Sequence, residues 1–384
     1  MMQLDWDRLL ADCVDFTQRL IQTPSMSTEE GTIAQLVAEE LRRLGVDEVW
    51  LDGIGNVCGR VYGQDRTLPA LVMNTHLDHV DPGDPSLWPV PPYSGQIVEG
   101  RIRGRGACDI KGPLAVQVYS LAGVLRMGTR PRRDVVFTGV VQEEIGGAGA
   151  VYWVEHLDYP VALVVIGEPS DNQIALGHRG GYAYWVKFQG RSVHASVPQR
   201  GENPNYALAT FLTRVQENKG QLSSHPVLGA TSVAPTVVEV DTKSQNVTPA
   251  WTRVLLDFRS STESPKSLAD FIARCAEGLT YTLETGFFGG EPETAETPVT
   301  GFYTPADHPA VQKACELINQ GCGREVPLSS YQFATDGRHF VKYDLPMIGY
   351  AAGEEFVAHT VRENIALDAM AESLRGYVSL VLNF

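Results

Sequence analysis

Five short runs in the sequence hold residue types that bind metals or move protons. They are His76-Leu77-Asp78, the glycine-rich Gly104-Arg105-Gly106-Ala107-Cys108-Asp109-Ile110-Lys111-Gly112, Gln142-Glu143-Glu144-Ile145-Gly146-Gly147, Gly167-Glu168-Pro169, and a late His359. In the first, a histidine and a carboxylate alternate, as they do where an imidazole binds a metal and gives its other N–H to a carboxylate. In the second, glycines permit tight turns around Asp109. In the third, two adjacent carboxylates suit one metal ligand and one free base. No run is decisive alone. His-x-Asp is common in surface loops, Asp109 reads equally well as a helix N-cap, and Glu143-Glu144 reads as a solvated charge pair. The glycines at 146–149 lack both the G-x-G-x-x-G spacing and the Lys-Ser/Thr of a phosphate loop, which sets nucleotide binding aside.

The elements around these runs give them a common place. Apolar runs predict buried strands at 70–74, 135–141 and 161–166, and each leads directly into one of the acidic runs. Helical spacing is seen at 5–21, 28–44, 111–127 and from about 147. Strands alternating with helices imply an α/β domain, a mostly parallel sheet flanked by helices. Ligands of such sheets bind at the carboxyl ends of the strands. From about 180 the pattern changes to strand (182–188), helix (203–215), strands (231–240 and 251–258), helix (267–276) and strand (281–285). That order is the split βαβ of a ferredoxin-like α+β domain. The stretch 289–300 reads as a linker, after which a helix at 308–319 and a short strand near Met347 resume the first pattern. The expected organisation is a catalytic domain of 1–179 plus 291–384, with 180–290 inserted.

Brought to one sheet edge, Asp78, Asp109, Glu143, Glu144 and Glu168 would repel and raise one another's pKa values. Divalent cations remove that objection. Two histidines and three carboxylates suit two zinc ions with one carboxylate bridging, cobalt or manganese being the alternatives. The lack of thiolate spacing fits a catalytic site better than a structural one. The six cysteines form no C-x-x-C pair and read as reduced thiols. With 46 acidic against 31 basic residues the net charge is −15, which argues against a nucleic-acid partner. No apolar run reaches membrane-spanning length, and the N-terminal segment lacks a basic start and an apolar signal core. A cytoplasmic protein with no membrane partner is the expectation.

Taken in order, His76-x-Asp78, Gly106-Ala107-x-Asp109-x-Lys111-Gly112, Glu143-Glu144-x-Gly146, Gly167-Glu168-Pro169 and His359 resemble the motifs of the M20 metallopeptidase family over nearly the whole chain. That family includes acetylornithine deacetylases, succinyl-diaminopimelate desuccinylases, aminoacylases and glutamate-releasing carboxypeptidases. The resemblance implies His76 and Glu168 on one zinc, Glu144 and His359 on the other, and Asp109 bridging. It implies Asp78 orienting His76, and Glu143 as general base for a water held between the metals. The inserted domain resembles the family's lid and dimerisation domain, so a homodimer is implied. There Gly190-Arg191-Ser192-Val193-His194-Ala195-Ser196 is similar to the motif whose histidine, here His194, serves the active site of the neighbouring subunit.

Substrates of the family usually carry a free carboxylate beside the cut amide. Arg259 resembles the arginine that binds it, Asn246 lies in a matching segment, and Arg338 is a further candidate. A structural ion pair is the competing reading for both arginines. The family's last motif often runs His, any residue, Pro or Asn, then acid, whereas here it is His359-Thr360-Val361-Arg362-Glu363. The family's aminopeptidases tend to carry Asp at the place of Glu168, its deacylases and carboxypeptidases Glu. The implied function is cleavage of the amide bond of an N-acyl amino acid, of deacetylase or desuccinylase type. The alternatives are a carboxypeptidase or dipeptidase of the same family and a non-catalytic metal-binding dimer scaffold, which would have no need of Glu143.

Overall fold

The computed structural model describes residues 3–286 and 299–384. Most of the stretch expected to be a linker, 289–300, lies outside the described residues. The chain divides into two compact units, one of 1–177, 303–331 and 335–384, the other of 178–302 and 332–334.

The first unit is built on a sheet whose strands run in the order Glu48–Leu51, Val57–Val61, Val135–Val140, Ala70–His76, Val161–Ile166, Met347–Gly349 and Ile174–His178. The middle four are parallel, and the flanking pairings are antiparallel. Strands in the middle of such a sheet are covered on both faces, which is why Leu71-Val72-Met73, Val135-Val136-Phe137 and Leu163-Val164-Val165 are unbroken apolar runs with no exposed face. The helix Gly112–Arg126 is likewise buried almost all round, from Gly112 to Val124. Trp6–Ile21 and Leu367–Asn383 present apolar stripes instead, with Leu9, Cys13, Phe16 and Leu20 buried on the first and Leu374, Tyr377 and Val381 on the second.

Register then fixes where the chemistry goes. His76 pairs beside Val140, and Asn74 beside Ile166. Asp78, Glu143 and Glu168 each follow the end of one of these three parallel strands by two or three residues. They are therefore delivered to the same edge. Asp109 arrives differently. It lies inside a wide turn, Ala107–Lys111, with φ −124° and ψ 81°, and is thus not the N-cap of the helix that follows.

The second unit has a four-stranded antiparallel sheet in the order Ser232–Val240, Trp251–Ser260, Gly180–Gln189 and Tyr281–Gly286. With helices Pro204–Asn218 and Pro265–Cys275, the chain order is strand, helix, two strands, helix, strand, the ferredoxin-like arrangement. Alternation along the strands sends Tyr182, Tyr184, Val186 and Phe188, with Val254, Leu256 and Phe258, into a core closed by Phe211 and Phe271. Among the described residues no helix is long and apolar enough to cross a membrane.

Candidate metal centre

Asp109 stands in the middle of the cluster. Its Oδ1 lies 3.0 Å from His76 Nε2 and its Oδ2 lies 3.0 Å from His359 Nε2. Outward from these, Glu168 Oε1 is 3.6 Å from His76 Nε2, and Glu144 Oε1 is 3.1 Å from His359 Nε2. Donor atoms of His76, Asp109 and Glu144 lie within 4.8 Å of one another, and so do those of His76, Glu143 and Glu168. Nitrogen and carboxylate oxygen donors at this density, with no thiolate among them, suit divalent ions of the zinc, cobalt and manganese kind.

Behind the donors, Asp78 holds two of them at once. His76 Nδ1 donates to the backbone oxygen of Asp78 at 3.0 Å and lies 3.4 Å from its carboxylate, which leaves Nε2 facing Asp109 and Glu168. The same carboxylate accepts the backbone N–H groups of Glu143 (3.1 Å) and Glu144 (3.2 Å), and the Ser27 hydroxyl (2.7 Å). Asp78 therefore aims the adjacent glutamates as well as the histidine. Gln142 (φ 62°) and His359 (φ 59°) both take the left-handed backbone that side chains ordinarily avoid. Such strain gathers at functional sites.

The charges are unbalanced in the expected way. Burial works against a charge on His76, but Glu168, Asp109 and Asp78 outweigh it and hold the imidazole well above its ordinary pKa. Hydrogen bonds to Asp109 and Glu144 push His359 up to about 10. Burial raises Asp109, yet the two histidines more than reverse this and keep it ionised. Burial, then Asp109, raises Glu144. Burial and Asp336 push Glu143 well above the usual carboxylate range, against the pull of His76 and Arg338. Burial also raises Glu168 strongly. Carboxylates thus outnumber the cations that could balance them, which is the condition a metal pair relieves.

The sequence matches the family described as Peptidase family M20/M25/M40 over residues 72–383. The chain belongs to that family. Succinyl-diaminopimelate desuccinylase of Paracoccus denitrificans is 27% identical to it over 386 residues, spanning 96% of this chain and 97% of that one. Its fold is similar to aminopeptidase PepT from Bacillus cereus (TM-score 0.76, 18% identity, 98% of both chains). It is similar too to the YXEP protein of Bacillus subtilis, described as a dinuclear metal binding peptidase of the M20 family (TM-score 0.71, 14% identity, 98% of both chains). As an M20 protein the chain is a metal-dependent peptidase or amidohydrolase.

The remaining candidates of this M20 chain fall in different places. Arg338 belongs to the first unit, where its Nε donates to His339 Nε2 at 3.0 Å and its charge is felt by Glu143. His194, Asn246 and Arg259 belong to the second. There His194 and Val247 form an isolated bridge, Ala195 N–H donates to the Asn246 carbonyl (2.8 Å), and the Asn246 amide lies 3.5 Å from His194 Nε2. His194 Nδ1 accepts the Ser196 N–H at 3.1 Å and lies 2.8 Å from the Ser196 hydroxyl. Arg259 is gripped by Asp257 through Nε (2.9 Å) and Nη2 (3.1 Å), an ion pair within its own strand. Ser27 and Asp336 carry no motif, and sequence reasoning passes over both as site residues. Asp336 stands in the run around Arg338, but only folding reveals its effect on Glu143.

Proposed function

We propose that this M20 protein is a di-metal hydrolase that removes the acyl group of an N-acyl amino acid, of the deacetylase or desuccinylase type. The observation that carries the reading is the span of Asp109 between His76 and His359, with Glu168 beside the first histidine, Glu144 beside the second and Glu143 adjoining. His76, Glu168 and Asp109 would hold one ion, and His359, Glu144 and Asp109 the other. Zinc is the metal we favour.

Such a pair supplies Lewis acidity, lowering the pKa of a coordinated water toward ~7 and polarising a carbonyl. The protein's own residues do the rest. Glu143 takes the proton of the attacking water and delivers it to the leaving amine. Asp78 keeps His76 in one tautomer and Glu143 in place. His194 of a second copy donates to the carbonyl oxygen as it gains charge. Arg259, Asn246 and Arg338 are the groups we assign to the substrate's free carboxylate. The choice of a deacylase rests on Glu168 and on the relative that is named a desuccinylase.

Activity on N-acetyl and N-succinyl amino acids, set against dipeptides, with and without chelator, tests the reading. N-acyl amino acids turned over faster than dipeptides, with all activity lost on chelation and regained with zinc, is the expected outcome. Turnover of dipeptides alone would make the enzyme a dipeptidase. At most one ion per chain in a fully active preparation would remove the metal pair.

A further inference from the structure

Glu363 stands four residues past His359 in the run that departs from the family's usual ending. Its own place is deep beneath the Asp109 turn, and it is 1% exposed. That turn creates a difficulty. Between Ala107 and Lys111 the chain is buried and irregular, so the N–H groups of Cys108 and Asp109 are cut off from water and need an acceptor. Glu363 Oε1 accepts both, at 3.2 Å and 3.1 Å, and the Cys108 thiol lies 3.7 Å from the same oxygen. The other oxygen, Oε2, is 2.5 Å from Arg105 Nη1.

Arg105 is as buried as its partner, lies over the Trp88 ring with its guanidinium carbon 5.0 Å from the centroid, and reaches the Asp81 carbonyl at 3.4 Å. Main-chain bonds complete the tie. Gly104 N–H donates to the Glu363 carbonyl at 3.2 Å, and the strand Asn364–Ala366 pairs antiparallel with Arg101–Arg103. The segments that bring His359 and Asp109 are thus fixed to one another at Glu363.

We propose that Glu363 is the positioning residue of Asp109, holding the turn so that one Asp109 oxygen faces each histidine. It acts through the backbone N–H groups of Cys108 and Asp109. A buried ion pair is expensive and contributes little net stability compared with apolar packing. Its use here is geometric, because a bridging carboxylate turned away from either histidine serves one ion instead of two. The inference rests on the metal-centre reading above.

The test is zinc affinity of the full-length protein, measured by competition with a chromogenic chelator, with circular dichroism as the check on folding. Glu363→Ala should weaken zinc binding about 10–100-fold, the usual cost of losing a group that orients a ligand. Glu363→Gln should recover part of this, because its amide oxygen still accepts both N–H groups while its NH2 group meets the Arg105 guanidinium in place of an acceptor. Glu363→Asp keeps the charge but falls one methylene short, and should bind as poorly as Glu363→Ala. A folded Glu363→Ala that binds two ions as tightly as the parent overturns the proposal while leaving the metal centre standing. A parent protein that binds no zinc overturns the metal centre and this inference with it. If Glu363→Ala does not fold, the other two variants decide, and Glu363→Asp binding zinc as well as or better than Glu363→Gln overturns the proposal. A role in stability alone would lower the melting temperature of the variants without producing that order of zinc affinities.

Discussion

Asp109 and the two histidines are held together by opposite charge, and in the absence of a cation protons carry that charge. His359 keeps its proton until about pH 10 because Asp109 and Glu144 favour its charged form. A metal ion needs the neutral ring nitrogen, so at pH 7 it must displace this proton. Zinc affinity should rise with pH between 6 and 9, about tenfold per unit for each proton displaced. Calorimetry in buffers of different ionisation enthalpy should register proton release on zinc binding. An affinity independent of pH across that range would show that zinc displaces no proton from His359.

Glu143 and Glu144 are adjacent, and both lie within reach of His76 or its neighbours, so their roles are separated by experiment. Glu143→Gln should keep two ions and lose at least about two orders of magnitude in kcat. If it loses zinc instead, and its rate returns when zinc is restored, Glu143 is the ligand and the two assignments exchange. At this scale much was legible. The types and order of His76, Asp78, Asp109, Glu143, Glu144, Glu168 and His359 mark them out, because a strand end aims whatever follows it at the sheet edge. The second task of Asp78, holding the Glu143 and Glu144 backbone, was not legible. Nor was the influence of Asp336 on Glu143. Both depend on which loops meet, and no local pattern encodes that.

At the scale of elements, legibility tracks burial. The strands Ala70–His76, Val135–Val140 and Val161–Ile166 stand out because neither face meets water. Glu48–Leu51, only partly buried at the sheet's edge, mixes charge with apolar residues and gives no such signal. The three-residue strands Gln96–Val98, Arg101–Arg103 and Asn364–Ala366 are too short for any period to show. Leu367–Asn383 carries helical spacing, but it begins at Ala366 with no side-chain cap to announce it. The glycines around Asp109 announce a turn at Ala107–Lys111 but not its shape, which Glu363 holds from outside.

The helix Ala148–Glu155, which follows the Glu143-Glu144 run, offers an element-scale test. Gly149 lets it lie directly on the strand end. A Cβ there would stand 2.5 Å from the backbone N and O of Val141 and 2.4 Å from Asn56 Oδ1. Asn56 cannot yield easily, since its side chain accepts the Val141 N–H (2.9 Å) and donates to the Gly149 carbonyl (2.8 Å). Gly149→Ala should therefore cost on the order of 2–4 kcal/mol, the range of overpacking against a fixed backbone combined with a broken buried hydrogen bond. Denaturant unfolding measures it. An unchanged midpoint would mean that the helix shifts freely over the strand end.

For the whole molecule, the open matter is whether one chain is a complete enzyme. Among the described residues the helices of the second unit lie on one face of its sheet. Its edge strand Ser232–Val240 leaves Val237, Val238 and Val240 exposed. An apolar edge of this kind invites pairing with another chain, and a self-complementary two-fold contact would cover it. His194 lies in the same unit and is held through Nδ1 by Ser196. If His194 serves the site of a neighbouring copy, Glu143 and His194 of any one active site come from different chains. Mixing a His194→Ala chain with a Glu143→Gln chain then has an unusual consequence. Each is nearly inactive as a homodimer, but in the mixed dimer one site receives both intact groups and the other receives neither. About half the parental activity per mixed dimer should return, because one of two sites is whole. Subunit exchange, followed by separation of mixed dimers on two different affinity tags, isolates the species to be assayed. Mixed dimers that form and stay inactive would place His194 in the service of its own chain, or outside the chemistry altogether.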